Sequence, residues 1–221
     1  MPNLLKRLVH YTYRPWAIAY IKKDRWFRSN GLNIFVPTGV FHPGLFFSTK
    51  LLSAYLTSDS LRGKKVLELG SGSGFLACLS AKVGASVTAL DINPLAVRVT
   101  QENAERNRLN VLCLESDLFE KLPIQPFDVI VINPPYYPKK PSNMAEHAWY
   151  AGENLEYFVR LFASISHYMK MDTEVIFSVS SDVEIERLKL IAAEHGFDFV
   201  QIQKKWTIWE WNYLFQLRNS K

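Results

Sequence analysis

Three glycines at alternate positions are the first feature of the sequence that could do chemistry. Gly70, Gly72 and Gly74 follow a short apolar run, residues 66–69, and a helix-like pattern begins at Phe75. This order predicts a buried strand, a tight turn and the start of a helix. Glycine lets the backbone pass close to a ligand, and the N–H groups at a helix N-terminus bind a negative or polar group. A plain strand-to-helix turn does not need three alternating glycines, so the pattern predicts a nucleotide-type ligand.

Two acids help to decide which nucleotide is bound. Residues 72–77 fit the relaxed dinucleotide fingerprint with alanine in the last place, which on its own is a weak match. Glu68 stands just before the glycines, where its carboxylate would face a ligand amine and crowd a pyrophosphate. Asp91 ends the next predicted strand, residues 86–90, where it can accept hydrogen bonds from ribose hydroxyls. A cationic amino-acid nucleoside, S-adenosylmethionine, fits these two acids better than NAD. An NAD-dependent oxidoreductase is the alternative.

The second group of residues that could do chemistry is Asn133-Pro134-Pro135-Tyr136, directly after the apolar strand of residues 127–132. Two prolines remove two donors and fix φ, so the chain after this strand is predicted to be stiff and extended. The side-chain carbonyl of Asn133 and the backbone carbonyl of Pro134 can then act as two acceptors beside the flat ring of Tyr136. Two acceptors and an aromatic face suit a planar NH2 group. The alternative is a loop that is rigid and nothing more.

Two further positions are interpreted less specifically. Asp117 follows the predicted strand of residues 111–114, at the strand end that borders the ligand crevice in a parallel sheet. Its carboxylate could accept from an adenine amino group, with Leu118 against the ring, or it could be a turn or capping residue. His42, in the loop before the glycine turn, is either a base or an incidental loop histidine.

The elements that must position these residues alternate between strands and helices. Beyond the segments above, helices are predicted at about residues 94–108, 154–169 and 182–195, and strands at 174–179, 197–203 and 209–217. We therefore predict an α/β fold, a doubly wound, mostly parallel, seven-stranded Rossmann-like sheet with an antiparallel C-terminal hairpin. A further short hairpin is predicted from residues 32–36 and 40–41, around Pro37 to Gly39. Trp206, Trp209 and Trp211 are interpreted as packing residues.

The composition is that of a globular domain, with 48% apolar and 21% charged residues. No apolar run approaches the ~18 residues that a membrane span needs. The basic N-terminus lacks the apolar run and cleavage site of a secretory signal. Cys78 and Cys113 have neither metal-ligand spacing nor the pattern of a disulfide framework. We therefore expect a cytoplasmic protein with no metal and no membrane partner.

All of the excess positive charge lies near the N-terminus. Residues 1–28 hold seven basic side chains and one acidic side chain, whereas the other residues have a net charge of −1. A helix over residues 4–14 would place Lys6, His10 and Arg14 on one face. Basic residues between aromatic ones suit an RNA or acidic-protein surface. The alternatives are an amphipathic cap over the core and, more weakly, a membrane-surface segment. We divide the chain into a basic, aromatic cap or substrate segment, residues 1–45, and a core, residues 46–221.

Taken together, the glycine turn, Asp91, Asp117 and the Asn133–Tyr136 motif resemble the class I S-adenosylmethionine (SAM)-dependent methyltransferases that carry an NPPY motif. The resemblance covers residues 38–218. It is greatest to HemK-type glutamine methyltransferases and to the methyltransferase small-domain family, some of which modify adenine or guanine amines in tRNA and rRNA. Residues 148–152, Ala-Trp-Tyr-Ala-Gly, are similar to a HemK-type loop. The chain departs from the family by lacking the long helical N-terminal domain of bacterial release-factor enzymes. Residues 41–49 also replace the acid-containing loop usual before the core in HemK relatives.

The resemblance implies that residues 46–221 form a SAM-dependent N-methyltransferase core that acts on a planar NH2 nitrogen. The substrate would be either an exocyclic base amine of tRNA or rRNA or a glutamine side chain of a translation protein. S-adenosyl-L-methionine is the implied cofactor, and a small activator subunit is a further implied partner. The implied catalytic residues are Asn133, Pro134, Pro135 and Tyr136. The implied cofactor-binding residues are Glu68, Gly70, Ser71, Gly72, Gly74, Asp91, Ile92, Asp117, Leu118 and Asn133. The non-enzyme alternative is an RNA- or partner-binding protein with a retained SAM fold.

Overall fold

The computed structural model of the protein describes residues 23–45, 47–57, 59–181, 183–207 and 211–220. The helix predicted over residues 4–14 and the side chain of Trp209 lie outside these ranges. Within them the strands are β1 (Arg25–Ser29), β2 (Leu32–Val36), β3 (Lys65–Leu69), β4 (Ser86–Asp91), β5 (Val111–Glu115), β6 (Phe127–Ile132), β7 (Met169–Ser180), β8 (Phe197–Trp206) and β9 (Trp211–Asn219). The helices are α1 (Phe47–Leu56), α2 (Phe75–Lys82), α3 (Pro94–Arg106), α4 (Glu156–Ile165) and α5 (Ile185–Glu194). Short 3-10 turns lie at Asp59–Leu61, Met144–Ala148 and Ser166–Tyr168.

The predicted sheet is confirmed. Seven of the described strands form one sheet in the order β5-β4-β3-β6-β7-β9-β8. β3 to β7 are parallel, β9 runs antiparallel to β7, and β8 runs antiparallel to β9. The chain winds outward from β3 through β4 to β5 and then returns to place β6 on the other side of β3. The carboxyl ends of β3 and β6 therefore flank the switch point of the sheet, which is where ligands bind in folds of this type.

Both faces of the sheet are covered, which is why its central strands carry apolar residues on both faces. Successive residues of a strand point to opposite faces, and Val66 and Leu67 of β3 belong to different buried clusters. The cluster that contains Leu67 is completed by α4 and α5, and the one that contains Val66 is completed by α1, α2 and β2. This double burial holds the carboxyl ends of the strands in fixed positions.

The hairpin predicted from residues 32–36 and 40–41 is wrong. β2 pairs instead with β1, in antiparallel register from Ser29 opposite Leu32. The two-residue connection is Asn30-Gly31, and both residues have positive φ, 50° and 68°. Asn-Gly is the residue pair that a tight hairpin turn of this hand favours most strongly. The mixed aromatic and basic character of β1 concealed it as a strand in the sequence.

Asn103 of α3 and Asn107, directly after its last residue, attach this hairpin to the core. The side chain of Asn103 accepts from the backbone N–H of Phe35 at 2.8 Å and donates to its carbonyl at 2.8 Å. Asn107 makes the same pair of bonds with Asn33, at 2.9 and 3.0 Å. The amides therefore satisfy the edge of β2 as a neighbouring strand would. The hairpin packs on the helical layer that also supports the glycine turn.

The C-terminal half differs from the prediction in two respects. α4 ends at Ile165 and β7 already begins at Met169, so the predicted helix is shorter and the strand is longer. The prediction that Trp206 and Trp211 are packing residues is wrong, because these side chains are 56% and 36% exposed. They lie at the end of β8 and the start of β9, beyond the buried clusters. In the described part of the chain, no helix is both long and apolar enough to cross a membrane.

Candidate functional site

The glycine turn and the Asn133–Tyr136 motif line the same cleft. The cleft lies at the carboxyl ends of β3, β4 and β6 and has a volume of about 260 Å³, near the lower end of the ≈300–1,000 Å³ found for small-molecule sites. Ten of the predicted site residues line it: Gly70, Gly72, Asp91, Ile92, Asp117, Leu118, Asn133, Pro134, Pro135 and Tyr136. Glu68, Ser71 and Gly74 are not among the lining residues and lie behind the glycine turn.

The glycine turn is held by its own backbone. The N–H groups of Gly70 and Ser71 both donate to the carbonyl of Leu90, at 2.8 and 2.9 Å, so the turn is fastened to the end of β4. Gly70 has a φ of 75°, in the left-handed region that favours glycine. A Cβ placed there would meet no atom within 4 Å, because the residue borders the open cleft. This position lets a ligand approach the backbone closely.

Gly74 has the same φ of 75° and a different surrounding. A Cβ at this position would lie 2.7 Å from Cγ2 and 2.9 Å from Cα of Thr100, on α3. Gly74 is therefore required for the close packing of the start of α2 against α3. Ser71 belongs to the same contact, because its hydroxyl lies 3.1 Å from that of Thr100. The structure thus separates the glycines into one that faces the ligand space and one that joins two helices.

Glu68 lies on the face of β3 that is covered by α2. Its side chain is buried and accepts from the backbone N–H of Ala77, in the first turn of α2, while Oε2 has no hydrogen-bond partner among the described residues. Burial raises the pKa of Glu68 well above its ordinary value of 4.5, and the nearby charge of Asp91 adds to the rise. This placement favours a role in orienting the turn over the predicted contact with a ligand amine.

Asp91 has both carboxylate oxygens anchored to backbone amides. Oδ2 accepts from the N–H of Gly72 at 2.8 Å, and Oδ1 accepts from the N–H of Asn93 at 2.9 Å. Burial raises the pKa of Asp91, and these hydrogen bonds oppose the rise. The side chain links the glycine turn to the start of α3 and borders the cleft. Lone pairs that remain on its oxygens can accept ligand hydroxyls.

Asp117 is paired with a residue that the sequence did not indicate. Nη2 of Arg160, on α4, lies 2.9 Å from Oδ2 of Asp117 and 3.0 Å from Oε1 of Glu120. Leu118 has a φ of 51°, which is uncommon for a residue with a branched side chain. Asp117, Leu118 and Arg160 all line the cleft. No motif marks Arg160, because its pairing depends on how α4 crosses the end of β5.

The Asn133–Tyr136 motif is braced by residues far along the chain. Oγ of Ser178, a fully buried residue on β7, donates to Oδ1 of Asn133 at 2.7 Å. The N–H groups of Tyr136 and Tyr137 both donate to the carbonyl of Trp149, at 3.2 and 3.0 Å. The predicted stiffness of this segment therefore comes from neighbouring backbone and from Ser178 as well as from the prolines.

Several aromatic residues that were not predicted as site residues also line the cleft. The rings of Phe41 and Trp149 lie 5.6 Å apart, and both residues line the cleft. Tyr157 also lines the cleft. Its pKa is raised mainly by burial and also by the negative charges of Asp91 and Asp117. The only available signal for Trp149 was its position in residues 148–152.

His42 does not line the cleft. It is buried, and its Nδ1 accepts from the N–H of Gly44 at 3.1 Å. Burial lowers the pKa of His42. These contacts favour a structural role over the role of a base. Among the residues that the structure describes, no group of three or more His, Cys, Asp or Glu is arranged to hold a metal ion.

The comparisons with known proteins identify the family of the chain. The family model for the methyltransferase small domain matches residues 31–151. A putative protein N5-glutamine methyltransferase of Methanocaldococcus jannaschii, MJ0928, is 47% identical over 79 residues, 35% of this chain and 40% of that protein. Other similar relatives are named ribosomal protein L11 methyltransferases, at 30 to 42% identity. The chain spans only part of these relatives, between 32 and 55% of the length of each.

Two solved structures share the fold. The 16S rRNA N2 G1207 methyltransferase RsmC of T. thermophilus, in complex with AdoMet and guanosine, superposes with a TM-score of 0.61 at 21% identity, over 90% of this chain and 50% of that one. The Mtq2-Trm112 complex of E. cuniculi, responsible for methylation of the termination factor eRF1, gives 0.63 at 19% identity, over 82% and 99%. The family model matches more than half of the chain, and the chain therefore belongs to the methyltransferase small domain family.

Proposed function

We propose that the protein is a SAM-dependent N-methyltransferase that transfers a methyl group to a planar NH2 nitrogen. The observation that carries the proposal is that Gly70 and Asp91 line the same cleft as Asn133 and Tyr136. One side of this cleft offers a nucleoside site, and the other offers acceptors beside an aromatic ring. The two halves are fixed on neighbouring central strands, β3 and β6.

The residues of the first half fit S-adenosylmethionine. The open space at Gly70 admits a ligand close to the backbone, and Asp91 borders the cleft with a carboxylate that can accept from ribose hydroxyls. Asp117 and the apolar Leu118 are placed to recognise an adenine, by its amino group and its ring face. When bound, S-adenosylmethionine supplies an electrophilic methyl group carried on a sulfonium. Glu68 acts behind the turn by holding the first turn of α2.

The second half positions the nitrogen that is methylated. Oδ1 of Asn133 accepts one hydrogen bond from Ser178 and keeps a second lone pair for a substrate N–H. The carbonyl of Pro134 supplies the other acceptor, and Tyr136 supplies a flat surface. An amide or aniline-like nitrogen is a poor nucleophile because its lone pair is delocalised. Accepting both of its N–H groups helps to localise that lone pair and to orient it, so catalysis here is mainly positioning with electrostatic help.

Two substrate classes fit a planar NH2 group. The name of MJ0928 refers to a protein glutamine, whereas the name of RsmC refers to a guanine N2 amine in rRNA. We carry both over as candidates, namely a glutamine side chain of a translation protein and an exocyclic base amine of tRNA or rRNA. The same two acceptors serve either group, because a carboxamide and a base amine both present two N–H bonds in one plane.

We also propose two properties of the protein in its cellular setting. The Mtq2-Trm112 complex contains a methyltransferase together with a second protein, and we infer a small activator subunit for this chain by analogy. Co-purification of the tagged chain tests this. The thiols of Cys78 and Cys113 are both free. Free thiols are typical of a reducing compartment, so the cytoplasm remains our proposed location.

The decisive experiment compares Asn133→Ala with Asn110→Ala, an exposed asparagine after α3. With tritiated SAM and total cellular RNA and protein as acceptors, we expect Asn133→Ala to abolish methyl incorporation. Calorimetry should show that the variant still binds SAM nearly as tightly as the unmodified chain, because Asn133 acts on the acceptor side. Asn110→Ala should behave like the unmodified chain in both assays.

Three results would contradict the proposal. Undiminished transfer by Asn133→Ala would remove the assigned role of the motif. Loss of SAM binding with no defect in transfer at saturating SAM would move Asn133 to the cofactor side. Binding of NAD in place of SAM by the unmodified chain would favour the oxidoreductase alternative.

A further inference from the structure

The end of the β8–β9 hairpin is a basic aromatic surface outside the cleft. We define this surface by Lys204, Lys205, Trp206 and Trp211. All four residues are exposed. Trp206 is 56% exposed, and neither Trp206 nor Trp211 belongs to the two buried clusters, so packing in the core does not account for them.

Lys204, Trp206 and Trp211 lie on one face of the hairpin, and Lys205, between Lys204 and Trp206 in β8, points to the other face at the same hairpin end. Lys204 pairs with Tyr213 across the hairpin, and Trp206 pairs with Trp211. Nζ of Lys204 lies 4.1 Å from the ring centre of Trp211, and the rings of Trp206 and Trp211 are 5.1 Å apart. Neither Lys204 nor Lys205 forms an ion pair with a carboxylate of the described residues. The result is a group of flat rings with unneutralised positive charge beside them.

The register of the sheet places this surface at the level of the catalytic motif. Ile132, the last residue of β6, pairs with Phe177 of β7. Three residues further along β7, Ser180 pairs with Asn212, which in turn pairs with Lys205. At about 3.3 Å per residue, the hairpin end extends roughly 10 Å beyond the end of β6, on the carboxyl side of the sheet. β8 is three strands from β6, which corresponds to roughly 14 Å at about 4.8 Å per strand.

Lys204, Trp206 and Trp211 also share one face of the sheet with the catalytic motif. Tyr213 is the cross-strand partner of Lys204, and Tyr136 belongs to the motif. Both tyrosines pack against the buried cluster that includes α4 and α5. At the mouth of the cleft, Nζ of Lys139 lies 4.5 Å from the ring centre of Tyr150, which repeats the pairing of a lysine with an aromatic ring. A chain seated on the hairpin end can therefore reach the cleft without crossing the sheet.

We propose that the basic aromatic surface binds unpaired RNA of the substrate and presents its base amine to the cleft. Lysine ammonium groups neutralise phosphates, and exposed rings stack on bases regardless of sequence. The target base must also be out of a helical stack for its amine to enter the cleft, which favours a loop or a single strand. This inference rests on the proposed methyltransferase function and selects RNA from its two candidate substrates.

The first test measures binding. The probe is a fluorescein-labelled, 20-nucleotide single-stranded RNA of mixed sequence, followed by anisotropy at several salt concentrations. Lys204→Glu/Lys205→Glu should lower affinity at least tenfold and reduce the magnitude of the salt slope by roughly 1.4, at about 0.7 per phosphate contact. Trp206→Ala should lower affinity at least fivefold, because stacking on one base is worth that much or more.

The control is Arg62→Glu/Lys65→Glu, which makes the same charge change at the amino end of β3. This end of the strands is opposite to the end at which the basic aromatic surface lies. It should retain RNA affinity within about twofold of the unmodified chain. All variants should bind SAM equally, and thermal unfolding verifies that each is folded. Lys204→Gln/Lys205→Gln should give an intermediate loss, which separates missing attraction from introduced repulsion.

The second test measures transfer from tritiated SAM to total cellular RNA and to protein. Incorporation into RNA that falls in the hairpin variants and persists in the control supports the inference. Equal losses in hairpin and control variants would overturn it, as would labelling of protein alone. Unchanged RNA binding with lower solubility in the hairpin variants would also overturn it. The lysines would then serve to prevent the exposed edge strand β8 from pairing with another chain. In each of these cases the unmodified chain still binds SAM and transfers methyl groups, so the proposed function stands. Failure of the unmodified chain to bind SAM would instead refute the proposed function.

Discussion

The two halves of the cleft are built in different ways. The half around the glycine turn is held by contacts between residues 68 and 103, mainly through the backbone, as in the bonds of Gly70 and Ser71 to Leu90. The half around Asn133 is held by residues from later in the chain, since Ser178 bonds its side chain and Trp149 accepts from the following backbone. The first half is therefore a local structure, and the second is assembled by the tertiary fold.

This difference separates the consequences of substitution. A local backbone structure tolerates few side chains, so changes there should reduce the stability of the whole domain or the fit of the cofactor. A site assembled from distant side chains can lose one hydrogen bond while the fold persists, so changes there should reduce catalysis with little change in stability.

The largest effect is expected from Gly74→Ala. Gly70 and Gly74 share a φ of 75°, so an alanine at either position costs about 1 kcal/mol of backbone strain. At Gly74 the new methyl also overlaps Thr100, which adds roughly 2 kcal/mol of overpacking. We therefore expect a loss of about 3 kcal/mol in the free energy of unfolding for Gly74→Ala and about 1 kcal/mol for Gly70→Ala. Urea denaturation measures both.

The ligand assay should reverse this order. Gly70 borders the open cleft and Gly74 does not, so a methyl group at Gly70 should weaken SAM binding more than one at Gly74 in the folded protein. Equal losses of stability in the two variants would show that the contact with Thr100 relaxes freely. Equal losses of SAM affinity would show that the two glycines do not differ in access to the ligand.

A pH-dependent effect is expected at Glu68. Burial raises its pKa in the folded state above 4.5, so above that pH the folded protein holds a proton that the unfolded chain has released. Stability contributed by this group therefore falls as pH rises towards the folded pKa, at up to about 1.4 kcal/mol per pH unit. Glu68→Gln keeps an acceptor for the N–H of Ala77 and cannot ionise. Its stability relative to the unmodified chain should increase with pH above 4.5.

Urea denaturation at several pH values measures this change. Glu102→Gln, at an exposed position of α3, is the control for loss of a surface charge. A difference between the Glu68→Gln and unmodified chains that stays constant from pH 5 to pH 8 would show that Glu68 is ionised in the folded protein throughout.

The same division explains what the sequence could predict. The glycine turn, the Asn133–Tyr136 motif and the alternation of strands and helices are local patterns, so the fold was predicted correctly, and both motifs border the cleft. Arg160 beside Asp117 and Ser178 beside Asn133 carry no local signal, because each pairing joins residues more than 40 positions apart. The error at β2 has a local cause, since Asn30-Gly31 marked the true turn and the turn-like residues Pro37 and Gly39 were preferred.

The smallest effect, and the one most specific to the assembled half, is expected from Ser178→Ala. Removal of the hydroxyl leaves Oδ1 of Asn133 without its donor, so the amide can rotate away from the orientation that receives the substrate. One such hydrogen bond is worth about 1 kcal/mol, so kcat should fall by roughly five- to tenfold, given that about 1.4 kcal/mol corresponds to tenfold. SAM affinity should stay the same because Ser178 contacts the acceptor side only.

Ser80→Ala is the matched control, since Ser80 is equally buried and its hydroxyl bonds the backbone of α2. Both variants should lose similar stability, while only Ser178→Ala should lose turnover. If the two variants had equal kcat, Ser178 would be a packing residue, and the prolines together with the Trp149 carbonyl would suffice to orient Asn133.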